Sequence, residues 1–117
     1  MIKKRVLYAE DELSNRRLLQ LKLEKAGIDC DITKDGLDAI KMSKKNKYDL
    51  IILDNYMPGM DGIEAASKIR EFNPDIPLIA ITSDDALKGV LLEAGFDEII
   101  IKPFHGKEII EIIEAYL

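Results

Sequence analysis

The chain has 117 residues, of which 47% are hydrophobic and 33% charged, and a formal net charge of −5. That length fits one domain, 1–117, with a real core, and the composition reads as globular rather than disordered. The acidity argues against direct nucleic-acid binding, which draws its affinity from neutralising phosphates. The single cysteine, Cys30, makes neither an internal disulfide nor a thiolate metal cage.

The opening Met1-Ile2-Lys3-Lys4-Arg5 has no long apolar run behind it, so no signal peptide is expected. No stretch approaches the roughly 18 apolar residues of a membrane span. A cytoplasmic location without a membrane partner is the expectation.

Five short apolar segments alternate with five helical patterns. Val6, Leu7, Tyr8 and Ala9 form the first strand, and residues 30–33 a weaker second one. Residues 13–26 place Leu19, Leu23 and Ala26 at helical spacing, with Gly27 as a stop signal. Asp35 is the N-cap expected for the next helix, whose inward residues would be Leu37, Ile40 and Met42. Residues 50–53 are continuously apolar, and residues 62–72 offer Ile63, Ala66, Ile69 and Phe72 to a third helix. Residues 78–81 are a second continuous run. Asp84 or Asp85 caps a short helix carrying Leu87, Leu91 and Ala94, closed by Gly95. Residues 99–101 make the fifth strand, and a last helix over about 105–116 aligns Ile109, Ile112, Ile113 and Tyr116. Unalternated apolar strands suit a parallel sheet covered on both faces, and the βα alternation predicts a single, doubly wound α/β sheet. In the last helix Ile110 and Leu117 fall outside the inward stripe, and Leu92 is spare on the fourth. Those residues fit either partial burial at the end of the chain or a dimer or partner surface.

Chemistry-bearing residues gather at the carboxyl ends of these strands, the edge where open α/β sheets hold ligands. Glu10, Asp11 and Glu12 follow strand 1, Asp54 follows strand 3, Thr82 and Ser83 follow strand 4, and Lys102 follows strand 5. With strands 1 and 3 adjacent, the acids crowd. At about 4 Å and an effective dielectric near 20, each like-charged pair costs on the order of 4 kcal/mol. A divalent cation with oxygen ligands, Mg2+ or Mn2+, would answer that repulsion, and so would the mobile ammonium of Lys102. Acids, a metal and a lysine together suit phosphoryl chemistry, in which a carboxylate attacks while cations neutralise phosphoryl oxygens. His105, the only histidine, opens the last helix and reads as a surface or capping residue.

Glu10-Asp11, the stretch from Asp54 through Asn55, Tyr56, Met57, Pro58, Gly59, Met60 and Asp61 to Gly62, Thr82-Ser83 and Lys102-Pro103-Phe104 together resemble a response-regulator receiver domain of two-component signalling. The resemblance runs from Val6 to Leu117 and includes the chemotaxis regulators. It implies a five-stranded flavodoxin-like receiver fold with strand order 2-1-3-4-5 and helices on both faces. It implies that Asp54 takes a phosphoryl group from a histidine kinase or histidine phosphotransfer protein. Asp11, Asp54 and the Tyr56 carbonyl would hold Mg2+, Glu10 would act through water, Lys102 would pair with Asp54 or its phosphate, and Thr82 would hydrogen-bond the phosphate. The Lys102–Pro103 peptide would be cis. Such a chain is a switch that catalyses only its own phosphorylation and dephosphorylation. No output domain is expected within 1–117, the output partner is unnamed, and association would be absent or weak, through the face of helix 4, strand 5 and helix 5.

Three features depart from the family pattern. The acidic pair is Glu-Asp rather than Asp-Asp. Ile99 stands where the family has an aromatic switch residue, three before the lysine. The stretch from Thr82 to Gly95 is about two residues short, and Gly89 weakens its helix, so 83–94 is expected to be the least regular part of the fold. Two rival functions remain. One is a receiver fold acting as an interaction module with weak or no phosphorylation-driven switching. The other is a metal-dependent phosphohydrolase, against which Tyr56 stands where that class has a second Asp.

Overall fold

Five parallel strands and five helices alternate strictly in the computed structural model, which describes residues 3–117. Met1 and Ile2, part of the expectation about the N-terminus, lie outside the described residues. The elements are β1 (Arg5–Ala9), α1 (Leu13–Lys25), β2 (Asp29–Thr33), α2 (Gly36–Lys45), β3 (Leu50–Asp54), α3 (Gly62–Phe72), β4 (Leu78–Thr82), α4 (Lys88–Glu93), β5 (Glu98–Ile101) and α5 (Gly106–Ala115). A 3-10 turn over Asp85–Leu87 precedes α4. The sheet order is β2-β1-β3-β4-β5, all parallel, as the resemblance implies.

Strand side chains alternate between two cores, as the twofold strand period requires. Leu7, Ala9, Ile51, Leu53, Leu78, Ala80 and Ile99 face α2, α3 and α4. Val6, Tyr8, Leu50, Ile52, Ile79, Ile81 and Ile100 face α1 and α5. Every residue of β3 and β4 is buried, which explains why those strands read as unbroken apolar runs. Cys30 is buried, and desolvation, followed by the charges of Asp31 and Glu24, pushes its thiol up to about 12. It is a packed residue, not a reactive one.

Two helices start on aspartate caps, the expected Asp35 and also Asp61. Asp35 Oδ1 accepts from the Asp38 amide at 2.8 Å, and Asp61 Oδ1 from the Glu64 amide at 2.9 Å. At Gly62 the chain doubles back on the loop after β3: a Cβ there would stand 3.0 Å from the Cα of Asn55. A side chain would therefore push the loop after β3 away from the start of α3.

The inward face of α2 differs from the expectation. Its buried residues are Gly36, Ala39, Ile40 and Ser43, while Leu37 is 52% exposed. The cause is a close α2–α3 contact: a Cβ on Gly36 would lie 3.2 Å from that of Ala65. Small residues set which side of α2 faces inward, and Leu37 is turned out. Ala26 is exposed because it lies past the end of α1, as its C-cap. Phe72 is also exposed, at the last turn of α3, where the Lys44 ammonium sits 5.3 Å from its ring centroid. Ile110 and Leu117 are partly buried against the α1/α5 core, so partial burial describes them, whereas Leu92 is 50% exposed.

Against the expectation, the loop 55–61, with no helix or strand at all, is less regular than the segment 83–94, which nevertheless carries the shortest α-helix of the five. The 3-10 turn of that segment buries no residue, and α4 is six residues long with Leu91 as its one buried residue. Asp84 supplies the cap, accepting from the Ala86 amide at 3.0 Å. His105 is the N-cap of α5 but makes no side-chain capping bond. Among the described residues no helix is long and apolar enough to cross a membrane.

Candidate functional site

Strand ends deliver the site. β3 terminates in Asp54, whose neighbours in the sheet are the ends of β1 and β4. Glu10 extends β1 by one residue through its amide, which donates to the Thr33 carbonyl at 3.0 Å. Lys102 extends β5 in the same way, its amide donating to the Thr82 carbonyl at 2.8 Å. Both residues therefore inherit the direction of the strand that they prolong. The Lys102–Pro103 peptide is cis.

The three charged groups meet. The Lys102 ammonium donates to Asp54 Oδ2 at 2.6 Å and to Glu10 Oε1 at 3.1 Å. Both acids are nearly inaccessible, Glu10 at 1% and Asp54 at 3% of their surface. Charges so far from water need partners, and each has several. Asp54 Oδ1 accepts from the Tyr56 amide at 2.9 Å. Glu10 Oε1 also accepts from the buried Tyr8 hydroxyl at 3.2 Å and the Asn15 amide at 3.4 Å.

Burial by itself would lower the pKa of Lys102. The hydrogen bond and charge of Asp54, and then those of Glu10, outweigh it and hold the ammonium above the usual lysine range. The Tyr8 phenol is pushed far above its ordinary range, first by burial and then by the charges of Glu10 and Asp54. At neutral pH it is a hydrogen-bond donor and not an anion.

Around this triad lies a crevice lined by Glu10, Asp11, Glu12, Asp54, Asn55, Tyr56, Thr82, Ser83, Asp84, Leu87 and Lys102. Every residue named from the sequence as catalytic or metal-binding is on that lining, but they are not equally placed. Glu10, Asp54 and Lys102 touch. Asp11 and the Tyr56 side chain are exposed. Thr82 is buried, with its Oγ1 accepting from the Asp84 amide at 3.2 Å, so the hydroxyl oxygen is tied to the start of the β4–α4 loop.

Among the described residues, no group of three or more carboxylate, histidine or cysteine side chains is already drawn together in ligating geometry. Electrostatics accounts for this: three carboxylates repel, and the Lys102 ammonium sits between two of them. The donor set nevertheless fits a hard divalent cation. Five carboxylates, those of Glu10, Asp11, Glu12, Asp54 and Asp84, against one ammonium leave the crevice with a formal excess of four negative charges, all on oxygen.

Three contributors escaped the sequence reading. Tyr8 braces Glu10 from below, and only its parity with Glu10 along β1 signals this. Asn15, in the first turn of α1, reaches the same oxygen. Arg16 donates to the carbonyls of Glu10 at 2.7 Å and of Asp11 at 3.1 Å, tying down the turn that presents both acids. No local pattern marks Asn15 or Arg16, because their partners lie across the turn from β1 to α1.

Comparisons with known proteins place the sequence and the fold. The family model described as "Response regulator receiver domain" matches residues 6–114. The transcriptional regulatory protein ResD of Bacillus subtilis is 38% identical over 115 residues, which is 97% of this chain and 48% of that protein. Hybrid signal transduction histidine kinase I of Dictyostelium discoideum is 39% identical over 129 residues, covering 100% of this chain and 7% of that protein. The chain thus spans about half of the one relative and a small part of the other. Among solved structures, the response regulator TrrA of Thermotoga maritima, in complex with Mg2+ and BeF, is 34% identical, with a TM-score of 0.91 over 97% of this chain and 99% of that one. The chemotaxis protein CheY4 of Vibrio cholerae superimposes with a TM-score of 0.93 at 25% identity, over 99% of this chain and 100% of that one.

Proposed function

This chain belongs to the response regulator receiver domain family, and on that premise we propose that Asp54 is its phosphoacceptor, served by Lys102 and Thr82. Receiver domains are phosphoacceptor switches of two-component systems, paired with histidine kinases or phosphotransfer proteins. One observation carries the assignment to Asp54: a carboxylate 3% exposed at a central strand end, held by the Lys102 ammonium at 2.6 Å.

The chain's own residues suggest the steps. Lys102 holds one Asp54 oxygen, and the Tyr56 amide holds the other, so the carboxylate enters the reaction already oriented. An Asp54 oxygen attacks the phosphorus of a phosphohistidine donor. The new P–O bond forms as the P–N bond breaks, and the donor imidazole departs with the electron pair. Lys102 then shifts from carboxylate to phosphoryl oxygen, which its flexible stem allows. The Thr82 hydroxyl turns from the Asp84 amide to donate to a second phosphoryl oxygen.

Asp11, Asp54 and the Tyr56 carbonyl would hold Mg2+ or Mn2+, with Glu10 acting through water. Such a cation, when bound, neutralises charge on the phosphoryl oxygens. Hydrolysis of the chain's own phosphoaspartate belongs to the same reading, with Tyr56 and Asp84 at the mouth of the crevice governing the approach of water. A cytoplasmic location and a kinase or phosphotransfer partner follow from it, as does weak association at most through the α4–β5–α5 face.

The test is incubation with acetyl phosphate or beryllofluoride and Mg2+, followed by intact-mass and amide-spectrum measurement. A phosphoryl adduct on the wild type, lost in Asp54→Ala, is the expected result. An adduct that persists in Asp54→Ala overturns the assignment.

A second reading, an interaction module with weak switching, draws on Ile99. It is 6% exposed and packed into the α2–α4 core, where the family has an aromatic switch residue. Phosphorylation that forms normally but leaves amide exchange over 83–101 unchanged would favour this second reading.

A further inference from the structure

We propose that Tyr8 is a positioning residue for the acidic crevice, a strut that selects which oxygen of Glu10 is tied down and which one faces the incoming cation. The proposal rests on the receiver reading of Glu10 as a partner to a metal-bound water.

Tyr8 and Glu10 are two apart at the end of β1, so their side chains leave the same face of the sheet. The Tyr8 ring is completely buried in the α1/α5 core, among Leu19, Leu23, Ile52, Ile81 and Ile109. Packing fixes the ring, and the ring fixes the hydroxyl. The hydrogen bond of that hydroxyl is to Glu10 Oε1 at 3.2 Å. The same oxygen accepts from Lys102 at 3.1 Å and from Asn15 at 3.4 Å, so it is saturated. Glu10 Oε2 has a single long contact, from the Glu12 amide at 3.4 Å. That asymmetry leaves Oε2 as the oxygen with unused acceptor capacity at a crevice-lining residue.

A glutamate needs this brace more than an aspartate does. It has one more rotatable bond, and so more conformers among which a buried carboxylate could be lost to the crevice. The phenol removes that freedom by holding one oxygen from the core side. Replacing Glu10 by Asp would draw the carboxylate back by about one carbon–carbon bond, or roughly 1.5 Å, beyond reach of the phenol.

The experiment is a double-mutant cycle read by Mg2+ binding to the unphosphorylated protein, followed by calorimetry and amide chemical shifts. Tyr8→Phe deletes one oxygen and keeps the ring that fills the core. It is expected to weaken Mg2+ binding about tenfold, as loss of an outer-shell partner does. In a Glu10→Asp background, the same Tyr8→Phe change is expected to alter Mg2+ affinity by less than about twofold, because the coupling partner is gone. An equal loss in both backgrounds, or no loss in either, overturns the proposal by making Tyr8 a core residue only. A wild-type protein that binds no Mg2+ defeats the receiver reading itself. That outcome is recognised because it precedes any effect of Tyr8.

Discussion

The carboxyl edge of the sheet is built in two ways. On the β1–β3 side, two buried carboxylates share one hydrogen-bonded cluster with the ammonium that Lys102 extends from the end of β5, and are braced by Tyr8 from the core and by Arg16 across the turn. On the β4–α4–β5 side, a 3-10 turn with no buried residue leads into a helix held by Leu91 alone. The first side fixes atoms; the second leaves a segment whose rearrangement costs little. A charge-driven switch needs both, since a rigid site must act on an element that is cheap to move.

The largest effect expected from breaking this contrast is at Lys102. Lys102→Met keeps the stem but removes the charge, leaving Glu10 and Asp54 buried together without their shared cation. Because two buried carboxylates lose their shared cation at once, the cost lies at the upper end for a broken buried ion pair, about 5 kcal/mol, readable as a lower urea midpoint. The pH dependence follows from the raised pKa of Lys102. A raised lysine contributes its stability in full below its ordinary value and loses it as pH rises through the folded one. The gap between wild type and variant should therefore be flat from about pH 7 to pH 9 and close only in stronger alkali. A gap that closes already near neutrality would mean that the cluster does not hold the ammonium.

The next effect compares cores instead of charges. Ile52→Ala in β3 opens a cavity in a strand that is buried along its whole length, at a cost of about 4 kcal/mol. Leu91→Ala removes an equally buried side chain, but from a six-residue helix that can settle into the space, so about 2 kcal/mol is expected. Urea unfolding of both variants gives the comparison. Equal losses would show that α4 is as firmly set as the sheet.

Residues whose partners are near in sequence, or whose type admits one environment, were legible. The continuous apolar runs located β3 and β4, because a strand covered on both faces has no polar side to show. Asp35 marked a helix start, because a carboxylate at the N-cap satisfies an amide three residues on. Leu37 was misread, because the face of α2 is decided by how closely Gly36 approaches Ala65 on another helix. The acids, Thr82 and Lys102 were found by their strand-end positions. Their unequal engagement was not legible, because it depends on which carboxylates Lys102 reaches across three strands. Tyr8 was read only as strand filler, since nothing in its neighbourhood announces where its hydroxyl ends.

The smallest effect sharpens the contrast most directly. Gly89 lies in the first turns of α4, has no positive φ, and meets nothing within 4 Å of where a Cβ would stand. Alanine there should be accommodated without strain and should stabilise the helix by about 0.8 kcal/mol, through propensity and a less flexible unfolded chain. The urea midpoint should rise slightly, and amides 88–93 should exchange about fourfold more slowly, the same free energy read locally. If α4 is only as loose as its glycine makes it, Gly89→Ala narrows the difference in exchange between 88–93 and 50–54. If its looseness comes instead from having Leu91 as its sole buried anchor, most of that difference survives the substitution. Should Gly89→Ala lower stability, then residue 89 needs a conformation that alanine resists. The helix would then be hinged at that point and not merely short.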